Sequence, residues 1–449
     1  MGRMFGTDGV RGVANRELTP MLAMQLGMAG AYVLSKNADH RPVILVGCDT
    51  RRSGDMLANA IMAGACSVGA DVVCLGVLPT PAVAFLAKKH GADAGVVISA
   101  SHNPMEFNGI KFFDGNGFKL PDEKEDEIQA EIESGMKDIT FPVGAGVGRV
   151  TYELDAYKEY VDHALELVPV RLGGFTFVVD TAEGASYRTN IEALERLGAK
   201  VIPIHNHPSG ININDHCGST HLEELQQRVV EEHANAGFAF DGDADRFLAV
   251  DEKGNVVNGD QIMAIVASRM KEQGTLRQNA IVVTVMSNLG LFLYGEQQGI
   301  HIEKTKVGDR YVLERMREMG ANIGGEQSGH IILLDENTTG DGLLSCLHLA
   351  RALAETGRPL SELAACCRMY PQALINAHVD NTKKEHYGDY PEIMARIDAL
   401  EKEFAGKGRV LIRPSGTEPL VRVMIEGEDQ DLIQKKAREL ADFIEKTMA

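Results

Sequence analysis

Val43-Ile44-Leu45-Val46, a polar loop, a helical stretch over Leu57–Val68, then Gly69-Ala70 and Val72-Val73: this order of residues decides the fold. A short unbroken run of aliphatic residues predicts a strand buried on both faces, and the run after the helix predicts a second. Gly69 stands where a helix is expected to stop, because glycine takes up the left-handed conformation without a Cβ penalty. The same order returns at Phe175–Val179, where a helix ends at Gly198-Ala199 ahead of Val201-Ile202. It returns again at Ile281–Val285, where, after a longer insert, a helix ends at Gly320-Ala321 ahead of Ile323. The Gly-Ala marks lie 129 and 122 residues apart. That spacing is too long for a solenoid and suits three tandem α/β domains with crossover helices.

After about residue 370 the pattern changes. A helix over Pro391–Phe404, a strand at Arg409–Ile412, a tight loop, a strand at Val421–Ile425 and a final helix over Leu432–Met448 predict a smaller α+β domain. The expected architecture is therefore α/β: three similar mixed-sheet α/β domains plus a C-terminal α+β domain, divided at 1–155, 156–256, 257–370 and 371–449. The Gly-rich stretch Val143–Val150 reads as a flexible connector.

A chain of 449 residues exceeds one comfortable hydrophobic core, which agrees with several domains. With 44% hydrophobic and 24% charged residues it has the composition of an ordinary globular protein. The 64 acidic side chains against 45 basic ones give a net charge of −19, which repels a polyanion, so no nucleic-acid partner is expected. Seven cysteines without a C-x-x-C pair or zinc-ligand spacing read as reduced core residues. The first residues turn polar at once and no later stretch approaches the ~20 apolar residues of a membrane span, so the expected location is the cytoplasm, with no membrane partner.

Four loops carry residues suited to chemistry. Ser99-Ala100-Ser101-His102-Asn103-Pro104 follows the apolar strand Gly95–Ile98, at the carboxyl end where ligands collect in α/β folds. Pro104 keeps Asn103 extended, which is expected to turn Ser101 outward; an ordinary turn serine is the alternative. No Gly-x-Ser-x-Gly elbow surrounds it, which argues against an esterase triad. Asp241-Gly242-Asp243-Ala244-Asp245-Arg246 joins the strand-like Gly237–Phe240 and Phe247–Val250. Three alternating carboxylates on a tight turn converge on one point and suit a hard cation, since they repel one another without it. A solvated acidic turn is the bland alternative. An EF-hand is the other, with Glu252 at its twelfth position, but Arg246 occupies the required glycine.

Gly324-Gly325-Glu326-Gln327-Ser328-Gly329-His330 sets a carboxylate, an amide, a hydroxyl and an imidazole between glycines, a set that grips sugar hydroxyls or simply forms a polar loop. Arg413-Pro414-Ser415-Gly416-Thr417-Glu418-Pro419 offers a guanidinium, two hydroxyls and backbone N–H groups to an anion, or forms a surface hairpin.

Together with Phe5-Gly6-Thr7-Asp8-Gly9-Val10-Arg11-Gly12 and Asn108-Gly109-Ile110-Lys111, these loops closely resemble those of the α-D-phosphohexomutase family, over nearly the whole chain. The resemblance implies four domains around a central cleft. It implies that Ser101 carries a phosphoryl group, that Asp241, Asp243 and Asp245 hold Mg²⁺ together with an oxygen of phospho-Ser101, and that Arg246 orients the transferring group. Glu326 and Ser328 match the sugar contacts. Arg413, Ser415, Gly416 and Thr417 match the site for the phosphate that is not reacting. The implied reaction moves a phosphoryl from Ser101 to O1 of glucosamine 6-phosphate and returns the 6-phosphate to Ser101. A sugar 1,6-bisphosphate is both intermediate and primer. Lys111, His330 and Arg11 match positions near the chemistry and leave the general base open, with Arg11 mainly electrostatic. A cleft lined by Arg11, Lys111, Arg246, His330 and Arg413 is expected to draw in the anionic phosphosugar. The resemblance further implies a homodimer and a product used in cell-wall amino-sugar synthesis. The sugar rests on Gln327, where glucose and mannose relatives often carry Met. A glucose or mannose phosphomutase, an aspartyl phosphatase using Asp241 and Asp243, and a phosphosugar sensor without turnover are the competing readings.

Overall fold

Apolar runs without alternation become strands covered on both faces, and the central strands of the first three sheets are built from them. In the computed structural model, which describes residues 3–6, 8–36, 38–415 and 418–448, the chain forms two units: residues 1–286 with 300–366, and residues 287–299 with 367–449.

The first unit holds three sheets. One consists of β1 (Val10–Val13), β2 (Val43–Cys48), β3 (Asp71–Val77), β4 (Ala94–Ile98), β5 (Phe107–Asp114) and β6 (Val150–Tyr152), in the order β1-β5-β4-β2-β3-β6. The next consists of β7 (Thr176–Asp180), β8 (Lys200–Ile204), β9 (Ala236–Phe240), β10 (Phe247–Asp251) and β11 (Val256–Val257), ordered β11-β10-β9-β7-β8. The third consists of β12 (Ala280–Thr284), β13 (His301–Thr305), β14 (Ile323–Gly325) and β15 (Ile331–Leu333), ordered β13-β12-β14-β15. Each has the same four-strand heart. Its first strand pairs in parallel with the second and third, and the third turns back into an antiparallel fourth. The loop from third to fourth strand is Ser99–Glu106 in the first sheet, Asp241–Arg246 in the second and Glu326–His330 in the third. Three of the four chemistry-bearing loops thus occupy one topological position, the carboxyl end of a parallel strand.

The repeat is real but its third register differs from the sequence reading. Gly69 and Gly198, both left-handed, precede β3 and β8, the second strand of each heart. Gly320, also left-handed, precedes β14, which is a third strand; the matching glycine is Gly299, ahead of β13. A C-terminal glycine marks where a helix stops and not which helix it is, so the spacing alone misassigns it.

The Val143–Val150 stretch is not a free connector. A short 3₁₀ turn at Gly144–Gly146 leads into β6, which pairs with β3, and Arg41 donates to the Ala145 carbonyl at 2.7 Å. The cysteines also need correcting: all seven are free, but only Cys217, Cys346 and Cys367 are buried, and Cys366 is exposed.

In the second unit, β16 (Gln372–His378), β17 (Gly408–Pro414) and β18 (Leu420–Gly427) form an antiparallel sheet in the order β16-β18-β17. β16 was not anticipated, although its buried and exposed residues alternate as expected for a sheet with one covered face. Ile393, Phe404, Ile433, Leu440 and Ile444 of the two long helices Pro391–Phe404 and Gln430–Met448 supply the cover. No helix among the described residues is long and apolar enough to cross a membrane.

Candidate active site

Ser101 leaves β4 in a strained backbone conformation. Its φ is +52°, in the left-handed region that costs a non-glycine residue about 1–2 kcal/mol. It is buried, not turned outward to solvent, and its hydroxyl donates to Asp241 Oδ2 at 2.5 Å. What holds the strained turn is a cage around its carbonyl. Arg51 Nη2 donates to the Ser101 oxygen at 2.9 Å and to the Asn103 oxygen at 2.8 Å, and Asn214 Nδ2 donates to the same two at 2.8 and 3.0 Å. Arg51 is itself fixed by Asp49 at 2.9 Å, both fully buried, and Ser99 Oγ donates to that carboxylate at 2.6 Å while accepting from the Ser101 N–H. Burial pushes Asp49 up from the ordinary carboxylate range, with Arg51 and Ser99 opposing.

The turn between β9 and β10 brings Asp241, Asp243 and Asp245 together, one ligand oxygen from each lying within 4.8 Å of the others. All three are buried. Burial pushes Asp241 well above its usual range, reinforced by Asp245 and Asp243, and Asp245 is raised likewise. Asp243 goes the other way: burial is outweighed by Lys111, whose ammonium lies 2.8 Å from its Oδ2. Thr80 Oγ1 donates to the same oxygen at 2.7 Å. Asp243 Oδ1 and Asp245 Oδ1 are buried without a hydrogen-bond partner. Glu252 is spent elsewhere, accepting from the Ser361 N–H at 3.1 Å, which removes the EF-hand alternative.

An open cavity of about 510 Å³ adjoins this cluster, and Arg11, Ser101, His102, Arg246, Glu326 and His330 are among its walls. Lys111 is not. It is buried beneath the site, 2.8 Å from both Asp243 and Asp8. Burial works against its charge, but Asp243, Asp8 and Asp245 outweigh it and push its pKa up. Lys119, absent from the sequence reading, bridges Asp8 and Asp309 at 2.8 and 2.5 Å. Arg11 pairs with Asp8.

His330 is buried, with neither ring nitrogen hydrogen-bonded; Asp309 Oδ2 is 3.5 Å away and Asp245 Oδ2 3.9 Å away. Gly340 makes room for the ring, since a Cβ there would meet His330 Nε2 at 2.4 Å. Gly340→Ala should therefore displace His330, costing about 1–3 kcal/mol in stability along with most of the turnover; unfolding midpoint and turnover measured together check this. Glu326 Oε1 accepts from the Gly308 N–H at 3.3 Å, while Ser328 is exposed and is not among the cavity walls.

Arg246 donates from Nη1 to His102 Nδ1 at 2.9 Å. Burial, then Arg246 and Arg11, push His102 down to about 4, so it is neutral at pH 7 and its Nδ1 is free to accept. A histidine held below its ordinary value of 6.5 contributes stability that is complete above that value and lost as pH falls from about 6.5 to about 4. Unfolding midpoints of the native chain should accordingly drop more than those of His102→Gln across that window and run parallel above it.

In the second unit Arg413 lies at the end of β17 with its Nε unpartnered, and burial and Arg422 lower its pKa. Ser415 is buried, and its hydroxyl accepts from the Glu418 N–H at 3.2 Å. Gly416 and Thr417 lie outside the described residues.

Sequence reasoning missed Asp49, Arg51, Thr80, Lys119, Asn214 and Asp309. Asp49-Thr50-Arg51 leaves the carboxyl end of β2 and Thr80 follows the carboxyl end of β3, so the rule that singled out Ser101 would have found the first three. Nothing local marks the others.

Comparison with known proteins follows the geometry. Residues 2–138, 155–254 and 258–370 match the family description "Phosphoglucomutase/phosphomannomutase, alpha/beta/alpha" domains I, II and III, and residues 374–443 match its C-terminal domain. A phosphoglucosamine mutase of Clostridium kluyveri is 57% identical over 446 residues, 99% of each chain. Among solved structures, a phosphoglucomutase/phosphomannomutase family protein of Burkholderia thailandensis superposes with a TM-score of 0.82 at 23% identity, covering 100% of this chain and 98% of that one. An N-acetylphosphoglucosamine mutase of Aspergillus fumigatus, solved with GlcNAc-6P and magnesium, gives 0.72 at 17% identity, covering 99% and 96%.

Proposed function

Because this chain belongs to the phosphoglucomutase/phosphomannomutase family, we propose that it interconverts glucosamine 6-phosphate and glucosamine 1-phosphate, with Ser101 as the phosphoryl carrier. One observation carries the reading. A buried serine, held in a strained turn, donates its hydroxyl hydrogen bond to one member of a three-carboxylate cluster at the wall of a cavity lined by arginines. The full-length relative carrying the phosphoglucosamine mutase name supports glucosamine as the sugar, as does the Gly-Glu-Gln-Ser-Gly-His form of the third loop. The division at 1–155, 156–256, 257–370 and 371–449 belongs to the same proposal.

The carboxylate cluster fits a hard divalent cation. Its donors are all oxygen, two of them are buried without partners, and two of its members are pushed up by burial and by one another's charge. Asp241, Asp243 and Asp245 would hold Mg²⁺ there, which when bound neutralises charge on phosphoryl oxygens.

The chain's own residues do the rest. Arg11 and Arg246 line the cavity and draw in the doubly charged sugar phosphate, and the Arg51–Asn214 cage keeps Ser101 Oγ aimed at the reacting phosphorus. In the first half-reaction the bond from Ser101 Oγ to phosphorus breaks as the sugar O1 bonds to it, and the O1 proton leaves. His330, on the cavity wall with both ring nitrogens unpartnered, is placed to take that proton. The 1,6-bisphosphate then turns, Ser101 Oγ, left unprotonated by the first half-reaction, bonds to the 6-phosphorus as the phosphorus–O6 bond breaks, and O6 takes back the proton held by His330. Lys111 and Lys119, kept charged by their aspartates, hold the electrostatic frame.

Phosphorus NMR tests this directly. With Mg²⁺ and a trace of sugar 1,6-bisphosphate, glucosamine 6-phosphate should give a growing 1-phosphate signal, faster than glucose 6-phosphate does, and EDTA should stop it. Faster glucose turnover would move the assignment to a hexose phosphomutase. Free inorganic phosphate would favour a phosphatase, and an unchanged spectrum a sensor.

A further inference from the structure

Away from the cavity, three potential metal ligands of different chemistry meet at the carboxyl ends of β7 and β8. Asp180 ends β7, His205 follows β8, and Cys217 precedes a short 3₁₀ turn at Gly218–Thr220. One ligand atom from each lies within 4.8 Å of the others, with Asp180 and Cys217 buried and His205 half-buried. The catalytic reading uses none of them.

The shell around these ligands is already built. Asp180 accepts the Ala182 N–H on Oδ1 at 2.8 Å and the Gly218 N–H on Oδ2 at 2.9 Å, which fixes the plane of its carboxylate. His205 presents Nδ1 to Asp180 Oδ2 at 3.0 Å, and its other nitrogen, Nε2, lies 3.1 Å from Glu224 Oε2. A carboxylate on the far nitrogen of a histidine is the arrangement that orients an imidazole for a metal on the near one. The 3.0 Å gap is close to the roughly 3.3 Å edge expected between two ligands of a tetrahedral zinc with bonds of about 2.0 Å.

We propose that Asp180, His205 and Cys217 form a second cation site, selective for a thiophilic divalent ion such as Zn²⁺ and distinct from the all-carboxylate cluster. Charge and donor type both point there. One carboxylate and one thiolate cancel a dication, and a nitrogen and a sulfur among three ligands favour zinc over magnesium. On binding, two protons leave to solvent, one from the Cys217 thiol and one from His205 Nδ1, which donates it to Asp180 in the metal-free protein; the S–metal and Nδ1–metal bonds form, and Nε2 keeps its proton on Glu224. The segment between His205 and Cys217 contains Asn214, one of the two donors that hold the Ser101 carbonyl. The site thus ties down a segment that braces the phosphoryl-carrying serine through Asn214, three residues from Cys217.

Cobalt serves as the probe, because a thiolate ligand gives Co²⁺ a charge-transfer absorption that carboxylates alone do not. Full-length protein stripped with EDTA and reduced should take up one equivalent of Co²⁺ with that band, and Zn²⁺ should displace it. The band should persist in Asp241→Asn and in Cys366→Ser, the exposed cysteine, and vanish in Cys217→Ala. His205→Ala should weaken uptake at least tenfold, and since His205 is half-buried this variant covers the case in which Cys217→Ala fails to fold. Absence of the band in the native chain, or its survival in Cys217→Ala, would overturn the proposal. The readout does not depend on mutase turnover.

Discussion

Ser101→Ala should lower turnover by about 10⁴-fold or more while leaving the protein folded and able to bind sugar phosphate. A covalent carrier cannot be bypassed by its neighbours, so removing its oxygen removes both half-reactions. Intact mass should show a species heavier by one phosphate in the native chain and none in Ser101→Ala. The structural cost is modest: Asp241 Oδ2 loses one hydrogen bond, about 1–3 kcal/mol for a buried acceptor, and Asp241 is already pushed toward its protonated form. The test discriminates sharply, because an aspartyl phosphatase built on Asp241 would keep most of its activity in Ser101→Ala and lose it in Asp241→Asn. Residual mutase turnover within tenfold of the native rate would end the phosphoserine reading.

Arg51→Met should be the most destabilising single change near the site. Arg51 donates to three backbone carbonyls, those of Ser101, Asn103 and Pro104, and to Asp49, and neither side chain of that pair is exposed. Its loss strands a buried carboxylate and three carbonyls, an effect of about 3–5 kcal/mol. Arg51→Lys should recover part of the stability but little activity. An ammonium cannot reproduce the planar fork, and a shift of about 1 Å in a reacting group costs on the order of 10²-fold. Urea unfolding and turnover, measured on both variants, separate the two effects; a loss below about 1 kcal/mol in Arg51→Met would show that Asn214 alone holds the turn.

How much of this was legible beforehand can be read from particular residues. The strands ending at Ile98 and Phe240 are unbroken apolar runs, so their carboxyl ends, and with them Ser101 and Asp241, stand out in one dimension. The sequence also told which loops bear chemistry, since three carboxylates in six residues or a serine at a strand exit are local facts. It misjudged their exposure. Ser101 looked like an outward turn residue because nothing nearby announces Arg51 or Asn214, which are separated from it in the chain by 50 and 113 positions. Lys111 looked like a candidate base, yet its pKa is decided by Asp8 and by Asp243, 132 residues away. The third repeat was misregistered for a related reason: glycine caps read alike whichever helix they end.

The sequence by itself therefore determined the alternation of strands and helices, the repeated unit and the residue types at each strand exit. Those follow from periodicity and from backbone preferences that act over a few neighbouring residues. Only the tertiary structure decided that the serine is buried against a carboxylate, that Lys111 is paired with Asp8 and Asp243, and that an aspartate, a histidine and a cysteine share a point. Burial and Coulomb interaction depend on distance in space, and the chain brings together groups that its order keeps far apart.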